Sequence, residues 1–202
     1  MAPETKQYRE LEDEGHAFRE VEDEGHALDI LSNVSDLRKE EHLFDVTLTS
    51  GNLRVPCHRI VLAGASKYFR ALFTSRMREY GASEVQVSEV PPGVLSVVVD
   101  FVYMGRARIT RANVQEVLVA CNFLEVLRLR ELCEDFLVDA LSPATSVGYW
   151  AFAEFYSLSR LSRLARQAML TDFTAVVREP EYLEMSADDL AAYIARRHAV
   201  PG

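Results

Sequence analysis

An α+β domain with an all-helical continuation is the fold class this sequence predicts, on three observations. First, two runs with period-two alternation, residues 45–49 and 53–56, flank Ser50, Gly51 and Asn52 and read as a β-hairpin. Second, apolar residues at helical spacing between Pro56 and Pro143 alternate with two more strand-like runs, 85–87 and 108–110. Third, everything after Pro143 reads as helix, over 147–158, 161–172 and 186–197. Strands mixed with helices, then helices alone, give a small β-sheet flanked by helices and followed by an all-α segment.

Ahead of the hairpin, Ala27, Ile30, Leu31, Val34 and Leu37 fall within roughly 120° of a helical wheel, an amphipathic helix ending near Glu41. Beyond the hairpin a short helix covers 58–63. Ser66 is placed to cap the next one, 67–73, through its side-chain oxygen. Pro91 and Pro92 open a helix that turns Val94, Leu95, Val98, Phe101 and Val102 to the core, and Gly105 ends it. Asn113 with Glu116 three residues on has capping-box spacing for a helix to about Leu124. A further helix is expected over 129–141, stopped by Ser142 and Pro143.

Charge is unevenly placed. The chain of 202 residues carries a net −9, yet residues 1–25 hold nine acidic and three basic side chains, leaving only −3 for the rest. Those residues contain a near-duplication, Arg9 to Phe18 followed at once by Arg19 to Leu28. Ten residues turn a helix through about 1000°, so successive copies drift by about 80° and build no common helical stripe. Residues 1–25 therefore read as an acidic, disordered lead-in, with a partner-binding acidic tail as the alternative. No basic face large enough for several phosphates is visible, which argues against nucleic acid. No apolar stretch is long enough for a transmembrane helix, so no membrane is expected. Three widely spaced cysteines (57, 121, 133) without a CxxC pair fit a reduced, cytoplasmic setting, with the nucleus open.

Catalytic patterns are missing. The chain has no P-loop, no GxGxxG and no HExxH. His16, His26, His42, His58 and His198 share no metal-ligand spacing, and Cys57-His58 lacks a second pair to close a zinc site. Cys57, His58 and Asp45 could form a nucleophile–base–orienter set, but a structural polar cluster is the stronger reading. No enzyme activity, cofactor or metal is expected.

Several runs resemble the BTB/POZ domain. Phe44-Asp-Val-Thr-Leu48, Val55-Pro-Cys-His-Arg-Ile-Val-Leu-Ala63 and Ser66-Lys-Tyr-Phe-Arg-Ala-Leu-Phe73 are similar to its signature, and so are Val99 to Gly105 and Cys133 to Leu137. The helices after Pro143, through Phe173, Glu181, Tyr182, Leu183, Ser186 and Leu190, resemble the start of a BACK domain, as in Kelch-like proteins. The likeness implies a BTB/POZ fold over 26–141 and BACK helices over 142–202, cut short where a complete BACK would continue. No Gly-Gly dipeptide or 50-residue repeat of a Kelch propeller is present.

The resemblance also implies partners. BTB domains of this group form homodimers through the first helix, which assigns Ala27, Ile30, Leu31, Val34 and Leu37 to the dimer interface. They resemble substrate adaptors of Cullin-3 ubiquitin ligases, which carry a hydrophobic-x-Glu motif just after the third signature run. Met77-Arg78-Glu79 stands there, and Tyr103 matches a tyrosine the family uses on the cullin, with a partly buried structural tyrosine as the alternative. Asn122 and Leu124 are expected near the same surface. Phe44 replaces the usual cysteine, and Glu125 stands where glutamine is usual. Two other readings stay open: a BTB module binding corepressor peptides in transcriptional regulation, and a dominant-negative dimer without a substrate domain. The helices after Pro143 favour the adaptor. Nothing in the sequence selects a substrate protein.

Overall fold

The computed structural model describes residues 8–13, 16–21, 23–75, 81–171, 173–179 and 182. Two strands come first, β1 (Tyr8–Asp13) and β2 (His16–Val21), one in each copy of the acidic repeat. They pair antiparallel, with Tyr8 opposite Val21 and Asp13 opposite His16. The sequence predicts a disordered lead-in over 1–25, and these two strands pair within it. The pairing runs copy against copy, with Arg9 opposite Glu20 and Glu10 opposite Arg19 in the register.

Helix α1 (His26–Lys39) follows, ending two residues earlier than its periodicity suggested. Glu41 and Leu43 both adopt φ of 60°, a backbone state that halts a helix and costs free energy in a bulky residue. Strands β3 (Val46–Ser50) and β4 (Leu53–Cys57) form the expected antiparallel hairpin. Gly51, at φ 52°, supplies the left-handed turn between them. Val46, Leu48 and Ser50 point inward while Thr47 and Thr49 lie nearer the surface, the alternation that fixes strand register.

Helices α2 (Arg59–Ala65) and α3 (Lys67–Thr74) form the crossover to β5 (Glu84–Gln86), which pairs parallel to β3. The sheet order is β4-β3-β5. Val87, expected inside the strand, lies just past it, but its N–H still donates to the Thr49 carbonyl at 2.8 Å. Ser66 caps α3 as its position predicts, its Oγ accepting from the Phe69 N–H at 3.0 Å. On the outer face, Arg54 of β4 reaches across β3 to Glu84 of β5 in a two-pronged ion pair. The hydrogen bond from Arg54 holds the Glu84 carboxyl below its usual range. Both groups are exposed, so the pair contributes little to stability.

Helix α4 (Pro92–Met104) opens on proline and closes on Gly105 at φ 63°, whose N–H donates to the Phe101 carbonyl at 2.8 Å. The strand expected at 108–110 does not form. Asn113 takes its hydrogen-bonding groups instead: Oδ1 accepts from Thr110 N–H at 2.8 Å and Nδ2 donates to the Arg108 carbonyl at 3.0 Å. That use of its side chain also explains why Asn113 does not cap α5 (Val114–Phe123) through the expected box with Glu116.

Helix α6 (Leu127–Asp139) begins and ends two residues before its expected bounds, and α7 (Pro143–Phe155) begins four residues before. The sequence reading passed over a reciprocal cap. Ser142 Oγ accepts from Thr145 N–H at 3.3 Å, and Thr145 Oγ1 accepts from Ser142 N–H at 2.9 Å. Helices α8 (Ser159–Thr171) and α9 (Phe173–Val176) complete the described elements, and the helix expected over 186–197 lies outside the described residues.

One apolar core runs through both parts. Leu48, Leu62, Phe69, Leu95, Val98 and Leu118 fill the first part, and Leu129, Cys133 and Leu137 of α6 carry it on to Trp150, Leu161, Ala165 and Met169. Polar ties reinforce that junction. Glu134 Oε1 accepts from Leu161 N–H at 3.1 Å at the start of α8, and Asp135 pairs with Arg160. Replacing Ser142 by alanine removes half of the reciprocal cap and is expected to cost about 1 kcal/mol in urea unfolding. An unchanged midpoint would show that Pro143 alone starts α7.

Candidate interaction site

One of the residues expected to carry function, Tyr103, lies in a buried polar node. Tyr103, near the end of α4, is 1% exposed. Its hydroxyl accepts from the backbone N–H of His58 at 2.7 Å and lies 2.9 Å from His58 Nδ1. His58 Nε2 lies 2.9 Å from the His42 carbonyl. A carbonyl only accepts, so Nε2 carries the ring proton and Nδ1 accepts from the Tyr103 hydroxyl. Three separate pieces are thereby joined: the end of α4, the β4–α2 junction and the α1–β3 loop. The Arg38 guanidinium lies over the Tyr103 ring at 4.8 Å from its centroid and pairs with Asp100 at 3.0 Å, which ties α1 to α4 as well.

This node bears on two expectations about single residues. Tyr103 has almost no exposed surface, and its hydroxyl and ring hold other elements in place. Cys57 is not arranged as a nucleophile, because both ring nitrogens of His58 are engaged elsewhere and Asp45 Oδ1 accepts from the Arg59 N–H at 2.7 Å. Burial pushes the Cys57 thiol up to about 12, so it holds its proton at neutral pH.

Met77 and Glu79 lie outside the described residues. Asn122 is exposed on the last turn of α5, whereas Leu124 is fully buried and offers a partner no side-chain surface. The Leu124 carbonyl instead accepts from Ser66 Oγ at 2.5 Å, which pins the α5–α6 turn to the start of α3. Beside it, Tyr68 and Phe123 pack with ring centroids 5.2 Å apart, and Phe123 remains exposed. Glu125 completes the turn at φ 51°, a left-handed state that is unusual for glutamate. The segment from Asn122 to Leu124 is expected near this surface, but sequence spacing does not single out Tyr68, because its contact with Phe123 joins residues 55 positions apart in the chain.

The α1 residues divide. Val34 packs against the core of its own subunit, and Leu31 and Leu37 are half-buried. Ala27 is exposed, and Ile30 remains 49% exposed. Leu28 off that stripe is 71% exposed, Leu43 in the strained loop 76%, and Ile60 at the start of α2 81%. Two clefts flank the helix. One of about 380 Å³ lies between Leu28, Leu31 and the Tyr103–Arg106 end of α4. The other, of about 490 Å³, runs between Arg38, Phe44, Val55, Pro56 and Met104. Apolar side chains left in water beside unfilled clefts mark a surface suited to a protein partner. Leu28, Leu43 and Ile60 belong to no periodic stripe, so hydrophobic patterning could not have nominated them. Among the described residues, no group of three or more His, Cys, Asp or Glu could hold a metal ion, and no helix is long and apolar enough to cross a membrane.

A small mixed sheet wrapped by helices, with an apolar helix face left open, is the frame of a protein-interaction module. The profile of the BTB/POZ domain matches residues 34–141, and that of the BACK segment (BTB And C-terminal Kelch) matches 146–199. The chain belongs to the BTB/POZ family, with BACK following directly as in Kelch-like proteins. Human Kelch-like protein 38 is 36% identical over 166 residues, which is 82% of this chain and 29% of that protein. Human Kelch-like protein 6 is 35% identical over 162 residues, 80% of this chain and 26% of that protein. The chain thus spans less than a third of the length of these relatives. Among solved structures, the BTB domain of zebrafish PATZ1 superposes with a TM-score of 0.53 at 25% identity, covering 58% of this chain and 95% of that domain.

Two outcomes follow from the buried groups. Tyr103→Phe strands the His58 N–H and Nδ1 and is expected to cost about 1–3 kcal/mol in denaturant unfolding; no loss would mean the node is dispensable. Burial also lifts the Cys133 thiol, to about 11. Folded thiols with raised values keep their protons while unfolded ones titrate at their ordinary value of 9.0. Their contribution is full below about pH 9 and is lost as pH rises through 11 to 12. The unfolding midpoint is therefore expected to fall across that window, and a midpoint that rose there would contradict the assignment.

Proposed function

We propose that this chain is a homodimeric adaptor module that holds Cullin-3 within a ubiquitin ligase complex and performs no chemistry itself. The carrying observation is the order of parts in one chain: a BTB domain, a hydrophobic-x-Glu motif at 77–79, and BACK helices continuing from the same core. Two features of the fold support it. Half-buried Tyr68 on α3 packs on exposed Phe123, which lies beside exposed Asn122 on α5, and the Ser66–Leu124 bond ties those elements together. A flexible apolar Met77 beside an acidic Glu79 would give a partner one adaptable contact and one directed acceptor.

Dimerisation is proposed through α1 and its surroundings. A second copy would cover Ile30, Leu28, Leu43 and Ile60, and each large side chain fully buried this way contributes about 1.5–3 kcal/mol. A second reading keeps the corepressor role in view, because the cleft between α1 and the edge strand β4 could take an extended peptide. The BACK helices favour the adaptor. We further propose a cytoplasmic or nuclear setting, and leave substrate choice to whatever accompanies this module.

Calorimetric titration with the Cullin-3 N-terminal region tests the adaptor reading. The unmodified protein is expected to bind, and the Met77→Ala/Glu79→Ala variant to bind at least tenfold more weakly. No binding by either protein sinks the adaptor reading, and equal binding by both sinks the motif. Light scattering tests the dimer. Ile30→Asp is expected to shift the mass toward one chain, and a monomer mass at all concentrations for the unmodified protein would refute dimerisation.

A further inference from the structure

One hydroxyl joins the start of α3 to the end of α5. Ser66 is buried, and its Oγ has a single proton to give. That proton goes to the Leu124 carbonyl at 2.5 Å, while the oxygen accepts from the Phe69 N–H at 3.0 Å. The Leu124 carbonyl lies just beyond α5, where a helix leaves its last carbonyls without partners of their own. Leu124 is fully buried, so bulk water does not serve that carbonyl, and Ser66 does.

The turn pinned in this way is an unfavourable one for its residues. Val126 N–H donates to the Cys121 carbonyl at 3.0 Å, the bond that closes a helix end through a left-handed residue. That residue is Glu125, at φ 51°, where glycine is preferred because a Cβ is crowded there. Leu124 and Val126 are buried on either side of it, and the Ser66–Leu124 bond reaches the turn from another element. Exposed Asn122, Phe123 and Glu125 form the outer edge of the turn, with Tyr68 of α3 packed on the Phe123 ring at 5.2 Å.

We propose that Ser66 is a positioning residue for cullin binding: by pinning the Leu124 carbonyl it holds the left-handed turn, and with it the Asn122–Phe123–Glu125 edge, in one conformation before the partner arrives. An edge ordered in advance loses less conformational freedom on binding. Ser66 is buried and acts only through the turn. This rests on the adaptor reading above and adds to it a residue that the partner never touches.

The test uses the full chain, unmodified and as Ser66→Ala, Ser66→Thr, Glu125→Gly and Ser66→Ala/Glu125→Gly. Affinity for the Cullin-3 N-terminal region is measured by calorimetry, and exchange of the Val126 amide is measured in the free protein. Ser66→Ala is expected to weaken binding about tenfold and to speed Val126 exchange several-fold, while Ser66→Thr, which keeps the hydroxyl, stays within about twofold of the unmodified protein. Glycine adopts the left-handed state without strain, so Glu125→Gly is expected to raise the thermal midpoint and to make the pin less necessary. In that background the further loss of affinity on Ser66→Ala is expected to shrink to about threefold or less. The lost α3 cap lowers the midpoint equally in both backgrounds, so a role in capping alone would leave the binding loss the same in both.

Unchanged affinity in Ser66→Ala, or an equal loss in the two backgrounds, overturns the positioning role; unchanged Val126 exchange overturns the pin. If the unmodified protein fails to bind, the adaptor reading falls and the positioning role falls with it, while exchange still decides the pin. Should Ser66→Ala fail to fold, Ser66→Gly repeats the series, removing the donor at a smaller cost to the cap.

Discussion

The hydroxyl of Tyr103 is the point on which the fold depends. A buried phenol needs partners, and this one finds both in a single residue, the backbone N–H and ring of His58. The far side of that ring is held by the His42 carbonyl. The end of α4, the β4–α2 junction and the α1–β3 loop therefore cannot be placed independently of one another. Burial raises the pKa of the Tyr103 phenol, keeping it protonated as the network requires. Networks of this kind, fully satisfied in a low-dielectric interior, select one arrangement of the elements that meet there.

That constraint explains which surfaces remain free. With α1 tied to α4 by Arg38, Asp100 and the Tyr103 ring, its outer side keeps Ala27, Leu28 and Ile30 in water. With His42 held, the strained loop turns Leu43 outward, and α2 begins with Ile60 exposed next to His58 and Arg59. A second surface is fixed by Ser66, whose hydroxyl caps α3 while gripping the α5–α6 turn. The frame is rigid at its joints and apolar at two faces, as an interaction module needs to be.

Much of this was legible in the sequence because it is local. The hairpin around Gly51, the Ser66 cap, the proline start of α4 and its Gly105 stop each follow from residues within one turn of one another. The BTB/POZ and BACK likeness rested on such runs as well. What is not legible in the sequence has long-range or competing causes. Residues 108–110 alternate like a strand, but Asn113 offers their backbone a local partner, and no strand among the described residues pairs with it. Tyr103 sits at a helix end, which suggests a rim, and only His58, 45 positions earlier in the chain, draws its hydroxyl inward. Leu124 follows exposed Asn122 and Phe123, yet its position in the turn directs it to the core. The Ser142–Thr145 cap was overlooked because threonine replaces the usual acidic or amide residue.

In the proposed adaptor, two copies of this chain present two equivalent cullin surfaces. Sedimentation equilibrium of the protein mixed with the Cullin-3 N-terminal region measures both at once. A species containing two chains of 22.8 kDa and two cullin fragments is expected. A single chain with or without one fragment, or a dimer sedimenting free of cullin, would contradict it.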